Sequence, residues 1–378
     1  MGLTPEEMPS VSVIVPTYKE ALNLPALVER VEAVREAHRL DLEMIIMDDD
    51  SRDGTVEAVA CLDRDWVRLV VRTSKRGLSA AVLDGFREAR NAVFLVMDAD
   101  LSHPPETIPE MLRQLQSGAD FVLGSRYVAG GTTEEAWGVL RWINSKAATL
   151  LARPFTRLKD PMSGFFAFHR SLLDGAPPMN PVGYKIGLEV LVKCNCRNVA
   201  EIPIHFSQRF QGESKLSLRE QLLYLEHLRR LAEYKFGDWA RFLEFSLVGF
   251  SGAFVNLTAL TLLVWVRVPV RVAVAIAIFV AMFTNFLLNR QFTFSYARNR
   301  HWSGQLLGFI GASSFGAAAN YFVTLLILHY WPFTERFPQI AATFGILAGL
   351  ASNYTLSRYV VFKKAEAPAP PAPEERNG

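Results

Sequence analysis

Ala92-Val93-Phe94-Leu95-Val96-Met97-Asp98-Ala99-Asp100 is an unbroken apolar run that ends on two carboxylates. A short apolar run bounded by turn-forming residues reads as a strand buried on both faces of a parallel sheet. Open α/β sheets bind ligands outside the carboxyl ends of their strands, which is where Asp98 and Asp100 fall. Carboxylates at i and i+2 can share one hard divalent cation with a polyanion, so Mg²⁺ or Mn²⁺ with a nucleotide diphosphate is the simplest occupant. A solvated turn is the competing reading of Asp-x-Asp alone, and the flanking sequence weighs against it.

Upstream, Val11-Ser12-Val13-Ile14-Val15 reads as a strand stopped by Pro16. A helix follows over about Leu24 to Arg39, with Leu24, Leu27, Val28, Val31 and Val34 on one face. A second strand, Leu42 to Met47, runs into Asp48-Asp49-Asp50, and Asp53-Gly54-Thr55 opens the next helix with Asp53 as N-cap. A third strand, Val67 to Val71, precedes the helix after Gly77. Strands alternating with helices over about 100 residues imply a doubly wound, mainly parallel α/β sheet. Polar or acidic residues follow three of its strands at one edge, which points to a nucleotide site.

The 378 residues fit two domains or more, and a formal net charge of +2 gives no reason to expect a nucleic-acid partner. The halves differ. From Phe242 to Phe362 apolar stretches dominate, each long enough to span a bilayer. Four spans are expected, near 242–266, 272–292, 306–329 and 340–362. Arg290, Arg298 and Arg300 in one loop, with Arg358, Lys363 and Lys364 at the end, predict both termini, and with them the N-terminal α/β half, in the cytoplasm. Before the spans, Leu218, Leu222, Leu225, Leu228 and Leu231 form an apolar stripe beside Arg219, His227, Arg229, Arg230 and Lys235. That pattern suits amphipathic helices lying at the membrane interface, or a helix packed on the soluble domain. The expected divisions are therefore 1–216, 217–239, 240–364 and a disordered tail over 365–378. Asn256, Asn285, Asn289, Asn320 and Asn353 fall in or near the spans, to join helices or to line a polar path. Met1 to Pro9 is short, polar and acidic, unlike a signal sequence. Cys61, Cys194 and Cys196 form no disulfide framework and suit a reducing compartment. The Cys194-Asn195-Cys196 pair has no matching ligand pair for zinc.

The residues permit specific chemistry. Pro16-Thr17-Tyr18-Lys19-Glu20 can flank a flat base, and Asp49 can accept from a base N–H. Arg126, Arg141 with Ser145 four residues on, Arg209 and Lys215 form a later cationic set suited to phosphates, against the bland alternative of unrelated surface ion pairs.

Seven separated motifs then occur in order: Pro16-Thr17-Tyr18-x-Glu20, Asp48-Asp49-Asp50-Ser51-x-Asp53-Gly54-Thr55, Lys75-x-Gly77-Leu78, Asp98-Ala99-Asp100-Leu101-Ser102-His103-Pro104-Pro105, Gly124-Ser125-Arg126-Tyr127, Asp160-Pro161-Met162-Ser163-Gly164-Phe165-Phe166 and Arg209-x-x-Gly212-x-Ser214-Lys215-Leu216. Over about Ser10 to Leu216 the chain resembles the dolichyl-phosphate mannose synthases, inverting family 2 glycosyltransferases of GT-A fold. The membrane half is similar to the GtrA-like four-helix module, on Asn285-Phe-x-x-Asn-Arg290 and Asn353-Tyr354.

The resemblance implies roles. Pro16, Tyr18, Glu20, Met47 and Asp49 would line the nucleoside pocket. Asp98, Ala99 and Asp100 would meet the ribose and diphosphate of GDP-mannose, with Asp100 the main ligand of Mg²⁺ or Mn²⁺. Ser102 stands where such an enzyme can carry Gln and would complete the metal set, directly or through water. Arg126, Arg209 and Lys215 would hold donor and acceptor phosphates, and Arg141 and Ser145 the phosphate of dolichyl or polyprenyl phosphate. The partners implied are the donor, the lipid acceptor and the bilayer, and an oligomer is compatible. Two alternatives stand beside this: transfer from UDP-glucose or another nucleotide sugar to undecaprenyl phosphate, and a lipid-linked-sugar flippase or scaffold with a degenerate soluble domain. A processive polysaccharide synthase would carry Gln-x-x-Arg-Trp, but Gly138 stands at the Gln position before Arg141-Trp142.

Overall fold

The computed structural model describes residues 8–133, 139–180, 182–183, 185–207, 218–299, 301–336 and 338–363. The chain divides into two compact units, Met1–Lys235 and Phe236–Gly378. The first opens as β1 Val11–Thr17, α1 Leu24–His38, β2 Leu42–Asp48, α2 Thr55–Ala60, β3 Val67–Val71, α3 Leu78–Glu88 and β4 Val93–Val96. It continues through α4 Ile108–Gln116, β5 Phe121–Ser125, β6 Thr132–Thr133, α5 Val139–Ala152, β7 Phe166–His169, α6 Ile186–Lys193, β8 Val199–Pro203, β9 His205–Phe206 and α7 Leu218–Phe236.

Seven strands form one sheet in the order β3-β2-β1-β4-β7-β5-β8, and β6 pairs with β9 separately. All pairings in the main sheet are parallel except those of β7, which runs antiparallel to β4 and β5. The chain winds outward from β1 to β3 and returns to the other side of β1 as β4. The gap beyond the ends of β1 and β4 is thus a topological switch point, where open α/β sheets bind ligands.

Strand periodicity explains the two core layers. Val11, Val13, Val15, Val93 and Leu95 face α1 and α4, while Ile14, Phe94 and Val96 pack with Ala81, Val82 and Phe86 of α3. The helix expected to reach Arg39 stops at His38, because Arg39 turns left-handed at φ 49°. The helix expected to start from an Asp53 cap has Gly54 in the cap position, at φ 94°. The Asp53 carboxylate still accepts the Thr55 amide at 3.2 Å and its hydroxyl at 2.6 Å.

The apolar stripe of α7 divides along its length. Tyr224, Leu228 and Leu231 pack into the α3-side core, whereas Leu222 and Leu225 are exposed. Its basic residues are largely matched within the helix: Arg229 and Arg230 each reach Glu226 at 2.9 Å, and His227 is buried.

The second unit holds α8 Asp238–Trp265, α9 Val270–Leu288, α10 Trp302–Tyr330, the short α11 Phe333–Arg336 and α12 Pro338–Leu356. Helices α8 and α10 are long and apolar enough to cross a membrane. Their large side chains face outward, Phe250 at 81% and Trp265 at 80% exposure. That much bare aromatic surface is unfavourable in water and suits lipid.

Close packing of α3 on β1 gives a test of the core. A Cβ on Gly85 would lie 2.4 Å from Ile14 Cγ2, a branched atom held inside the sheet. Gly85→Ala is expected to destabilise the protein by about 1–3 kcal/mol, read as a lower thermal midpoint in detergent. Gly249→Ala, which would meet nothing within 4 Å, is expected to leave the midpoint unchanged or higher.

Candidate active site

A cavity of about 890 Å³ opens at the carboxyl ends of β1, β2 and β4. Its volume falls in the range of small-molecule and cofactor sites. It is lined on one side by Pro16, Tyr18, Glu20, Asp49 and the start of α3, and at its centre by Asp98, Ala99, Asp100 and His103. Arg126, Gly164 and Lys185 follow, and the far end runs between Asn144, Ser145 and Ala148 of α5 and Leu223, Tyr224 and Leu225 of α7.

The loops around this mouth are held in unusual conformations. Of nine non-glycine residues with positive φ among those described, Lys19, Asp50, Arg52, Lys75 and Leu101 follow β1 to β4 at this edge. Each such conformation costs on the order of 1–3 kcal/mol, and such strain clusters at functional sites. Cross-loop hydrogen bonds hold the loops there. The Asp49 amide reaches Thr17 O at 3.0 Å, the Lys19 amide reaches Ser51 Oγ at 2.8 Å, and the Ala21 amide reaches Asp53 Oδ2 at 3.2 Å.

Asp49 is more constrained than a free base-reader. Its carboxylate pairs with buried Arg72 and accepts the Gly77 amide at 2.7 Å. It therefore ties the β2 end to the start of α3 while facing the cavity. Met47 requires a correction. Its side chain is fully buried in the core with Ile14, Ile45 and Ala81, so it does not line the cavity. Met47 lies in phase with Ile45, and the period of two turns both toward α3.

Ser102 requires a second correction. It is fully buried and donates both its amide, at 3.1 Å, and its hydroxyl, at 2.5 Å, to Asp100 Oδ1. Leu101, at φ 62°, makes the turn that brings Ser102 back. Ser102 is thus tied to Asp100 and, unlike Asp98 and Asp100, does not line the cavity. His103, absent from the expected set, accepts the Asp98 amide on Nδ1 at 3.0 Å and stacks on Phe165 at 5.1 Å. Because Nδ1 accepts, the ring can donate only from Nε2, and burial lowers its pKa against the pull of Asp98 and Asp100. Gly164 keeps the opposite wall low, since a Cβ there would lie 3.4 Å from Asp98 Oδ1.

The cationic side rests on a buried pair. Arg126 Nε and Nη2 each reach the Asp160 carboxylate at 2.7 Å, and the Arg126 amide adds a third bond at 3.0 Å. Asp160 is fully buried. Burial opposes the Arg126 charge, but Asp160 outweighs it and raises the guanidinium pKa. Lys185, also absent from the expected set, donates to Met162 O at 2.8 Å. Burial, then the nearby Arg126, lowers its pKa to about 8. Ser145 lines the cavity and exchanges a 2.8 Å hydrogen bond with Tyr127. Arg209, Lys215 and the Arg141 side chain lie outside the described residues.

The donor set fits a hard divalent ion held jointly with a ligand. Asp98 and Asp100 offer carboxylate oxygens, and among the described residues no cluster of three or more His, Cys, Asp or Glu could hold an ion alone. Such an ion would need diphosphate oxygens to complete its shell, the usual habit of Mg²⁺. Carboxylates beside buried cations can hold a polyanion through the metal and neutralise it from the other side.

Removing one partner of a buried ion pair strands the other charge. Asp160→Asn is expected to destabilise the protein by about 3–5 kcal/mol, measured by thermal unfolding, with loss of nucleoside diphosphate affinity in whatever fraction stays folded.

Comparison with known proteins agrees with this geometry. Residues 12–175 match the family model of glycosyl transferase family 2, and residues 244–364 match that of the GtrA/DPMS transmembrane domain. The chain is 38% identical over 361 residues to the dolichol-phosphate mannosyltransferase of Pyrococcus furiosus, covering 93% of this chain and 99% of that one. It is 44% identical over 245 residues to the dolichol-phosphate mannosyltransferase of Mycosarcoma maydis, covering 62% and 83%. With the polyprenol monophosphomannose synthase of Mycolicibacterium smegmatis it shares 37% over 218 residues, covering 54% and 80%. Identity of this order along almost the full length of both chains exceeds a shared fold, and the protein belongs to the dolichol-phosphate mannosyltransferase family, membrane-bound glycosyltransferases with a GT-A catalytic domain.

Proposed function

We propose that the protein transfers mannose from GDP-mannose to dolichyl or polyprenyl phosphate at the cytoplasmic membrane face, with inversion and with a divalent metal. The observation that carries this reading is one cavity holding Asp98 and Asp100 beside Arg126 and Lys185, with its far end running between α5 and α7. The names of the relatives, dolichol-phosphate mannosyltransferase and polyprenol monophosphomannose synthase, support the donor sugar and the lipid acceptor.

In this reading Pro16, Tyr18, Glu20 and Asp49 hold the nucleoside. Asp98 and Asp100 hold Mg²⁺ or Mn²⁺, which neutralises the diphosphate and stabilises charge on the leaving group when bound. Ser102 fixes the Asp100 carboxylate, and His103 fixes the backbone at Asp98. Arg126 and Lys185, with Arg209 and Lys215, bind phosphate oxygens. Arg141 and Ser145 meet the lipid phosphate. That phosphate is already an anionic nucleophile, so no strong base is needed. Its oxygen bonds to the anomeric carbon as the bond from that carbon to the diphosphate breaks, and the electron pair leaves on GDP. One in-line displacement converts an α-linked donor to a β-linked product. The residues' task is to bring two anions together and to hold developing charge, through position and electrostatics. Four spans anchoring the catalytic domain beside its lipid complete the reading, with both termini in the cytoplasm.

The test is transfer from radiolabelled GDP-mannose to a polyprenyl phosphate, with Mn²⁺, with Mg²⁺ and with EDTA, and UDP-glucose in parallel. Metal-dependent formation of a β-linked mannolipid is expected, and Asp100→Ala is expected to lose nearly all turnover. Product from UDP-glucose alone would move the enzyme to a glucosyl donor, and no product from either would overturn the reading.

Lys185 adds a pH dependence. A lysine with a lowered pKa carries its charge below about pH 8 and loses it above. GDP affinity is therefore expected to fall as pH rises through 8. An upward move of that pKa by about one on binding corresponds to a roughly tenfold total loss. Calorimetric titration from neutral to alkaline pH should show this fall in the wild type and not in Lys185→Met.

A further inference from the structure

The membrane unit is built from two matching halves. Phe245, Gly252 and Asn256 of α8 recur at the same spacing as Phe309, Gly316 and Asn320 of α10. Asn285, Arg290 and Phe294 at the end of α9 recur as Asn353, Arg358 and Phe362 at the end of α12. The local structure matches too. Each second helix ends in a π-turn, Asn289–Thr293 and Ser357–Val361, closed by the amides of Phe294 and Phe362 at 2.7 and 2.8 Å.

The contacts between halves are reciprocal. Phe294 stacks on Phe362 with centroids 4.7 Å apart. Phe286 meets Phe309 at 5.9 Å, and its counterpart Tyr354 meets Phe245 at 5.6 Å. Within each half the same close approach recurs: a Cβ on Gly252 would strike Asn285 at 2.3 Å, and one on Gly316 would strike Asn353 at 2.9 Å. This is the pattern of a two-fold related pair of helical hairpins.

The halves differ at one functional corner. Arg290 reaches across to the neutral Gln305 at 2.8 Å, whereas Arg358 pairs with the carboxylate of Asp238. Tyr354, which replaces the Phe286 of the other half, uses its added hydroxyl to bond Asp238 O at 3.1 Å. Arg241 holds the same carboxylate at 3.0 Å. Asp238 is the first residue of α8, directly after Gly237, whose φ of 54° breaks the chain between α7 and α8. The departures at Arg358 and Tyr354 thus converge on the first residue of α8.

We infer that Asp238, gripped by Arg358 and Tyr354, is a positioning residue that fixes the first turn of α8 beyond the Gly237 break and thereby sets how efficiently an acceptor borne by the membrane is used. This rests on the reading of the acceptor as a lipid phosphate. Asp238 touches no substrate. Its loss should affect the embedded acceptor and leave the chemistry alone.

The experiment compares wild type, Asp238→Ala and Tyr354→Phe as full chains in vesicles. Hydrogen exchange of the amides from Phe236 to Phe242 reads the clamp without any substrate, and about tenfold faster exchange is expected in Asp238→Ala. KM for long-chain polyprenyl phosphate in the vesicles should rise about tenfold in the same variant, with a smaller rise in Tyr354→Phe. The GDP-mannose KM and turnover with a water-soluble short-chain prenyl phosphate should not move. Unchanged exchange, or equal losses with both acceptors, would overturn the inference. If Asp238→Ala does not fold, Tyr354→Phe decides it by the same readouts. If wild type uses neither acceptor, the proposed function fails, and exchange alone decides the clamp.

Discussion

A cation buried at the cavity's base is the constraint on which the site depends. Arg126 is placed there by β5 and neutralised by Asp160, which arrives from the loop before β7. The same loop is pinned to β8, because Glu201 accepts the amides of Lys159 and Asp160 at 2.9–3.1 Å. The pair therefore joins three strands. It also shapes the wall that ends in Gly164, low enough to leave the Asp98 carboxylate accessible. A buried pair of this kind is weak support for stability on its own, since desolvation offsets most of its attraction. Its value here is to hold an ionised guanidinium at a fixed place in the cavity wall, so that little reorganisation is needed when charge develops beside it.

Much of this was legible in the chain, for identifiable reasons. The strand into Asp98 is buried on both faces, so its sequence carries no polar interruption, and the alternation of helix and strand implied the parallel sheet. Pro16, Tyr18, Glu20, Asp98, Ala99, Asp100, Arg126 and Ser145, expected from the motifs, all line one cavity. Other features depend on contacts that no local pattern encodes. Arg126 and Asp160 lie 34 residues apart, and nothing in their spacing predicts a pair. Met47 sits at a strand end beside functional residues, but strand phase sends it into the core. Ser102 and His103 are in the motif, yet only the left-handed turn at Leu101 turns them toward Asp100 and Asp98. The antiparallel β7 is an apolar run like its neighbours, and its direction is set by the sheet.

The membrane unit inverts the usual arrangement of a soluble fold. Large aromatic residues face outward, while Asn289, Thr293, Gln305 and Ser357 are buried among packed rings. Its internal repeat is carried by a few polar and aromatic positions scattered through apolar sequence. Composition and span counting pass over such a repeat. Small residues bring the helices close enough for Asn285 and Asn353 to pack against glycine.

Two carboxylates and a diphosphate in one cavity repel one another, by roughly 4 kcal/mol per close charge pair at an intermediate dielectric, unless a divalent ion lies between them. The most direct measurement is calorimetric binding of GDP to the full chain, with Mn²⁺ and with EDTA, in wild type and in Asp98→Asn/Asp100→Asn. Wild type should bind GDP well only with Mn²⁺. The double variant should bind GDP at least as well as wild type in EDTA and gain nothing from the metal. Equal GDP affinity of the wild type with Mn²⁺ and with EDTA would contradict the assignment of Asp98 and Asp100.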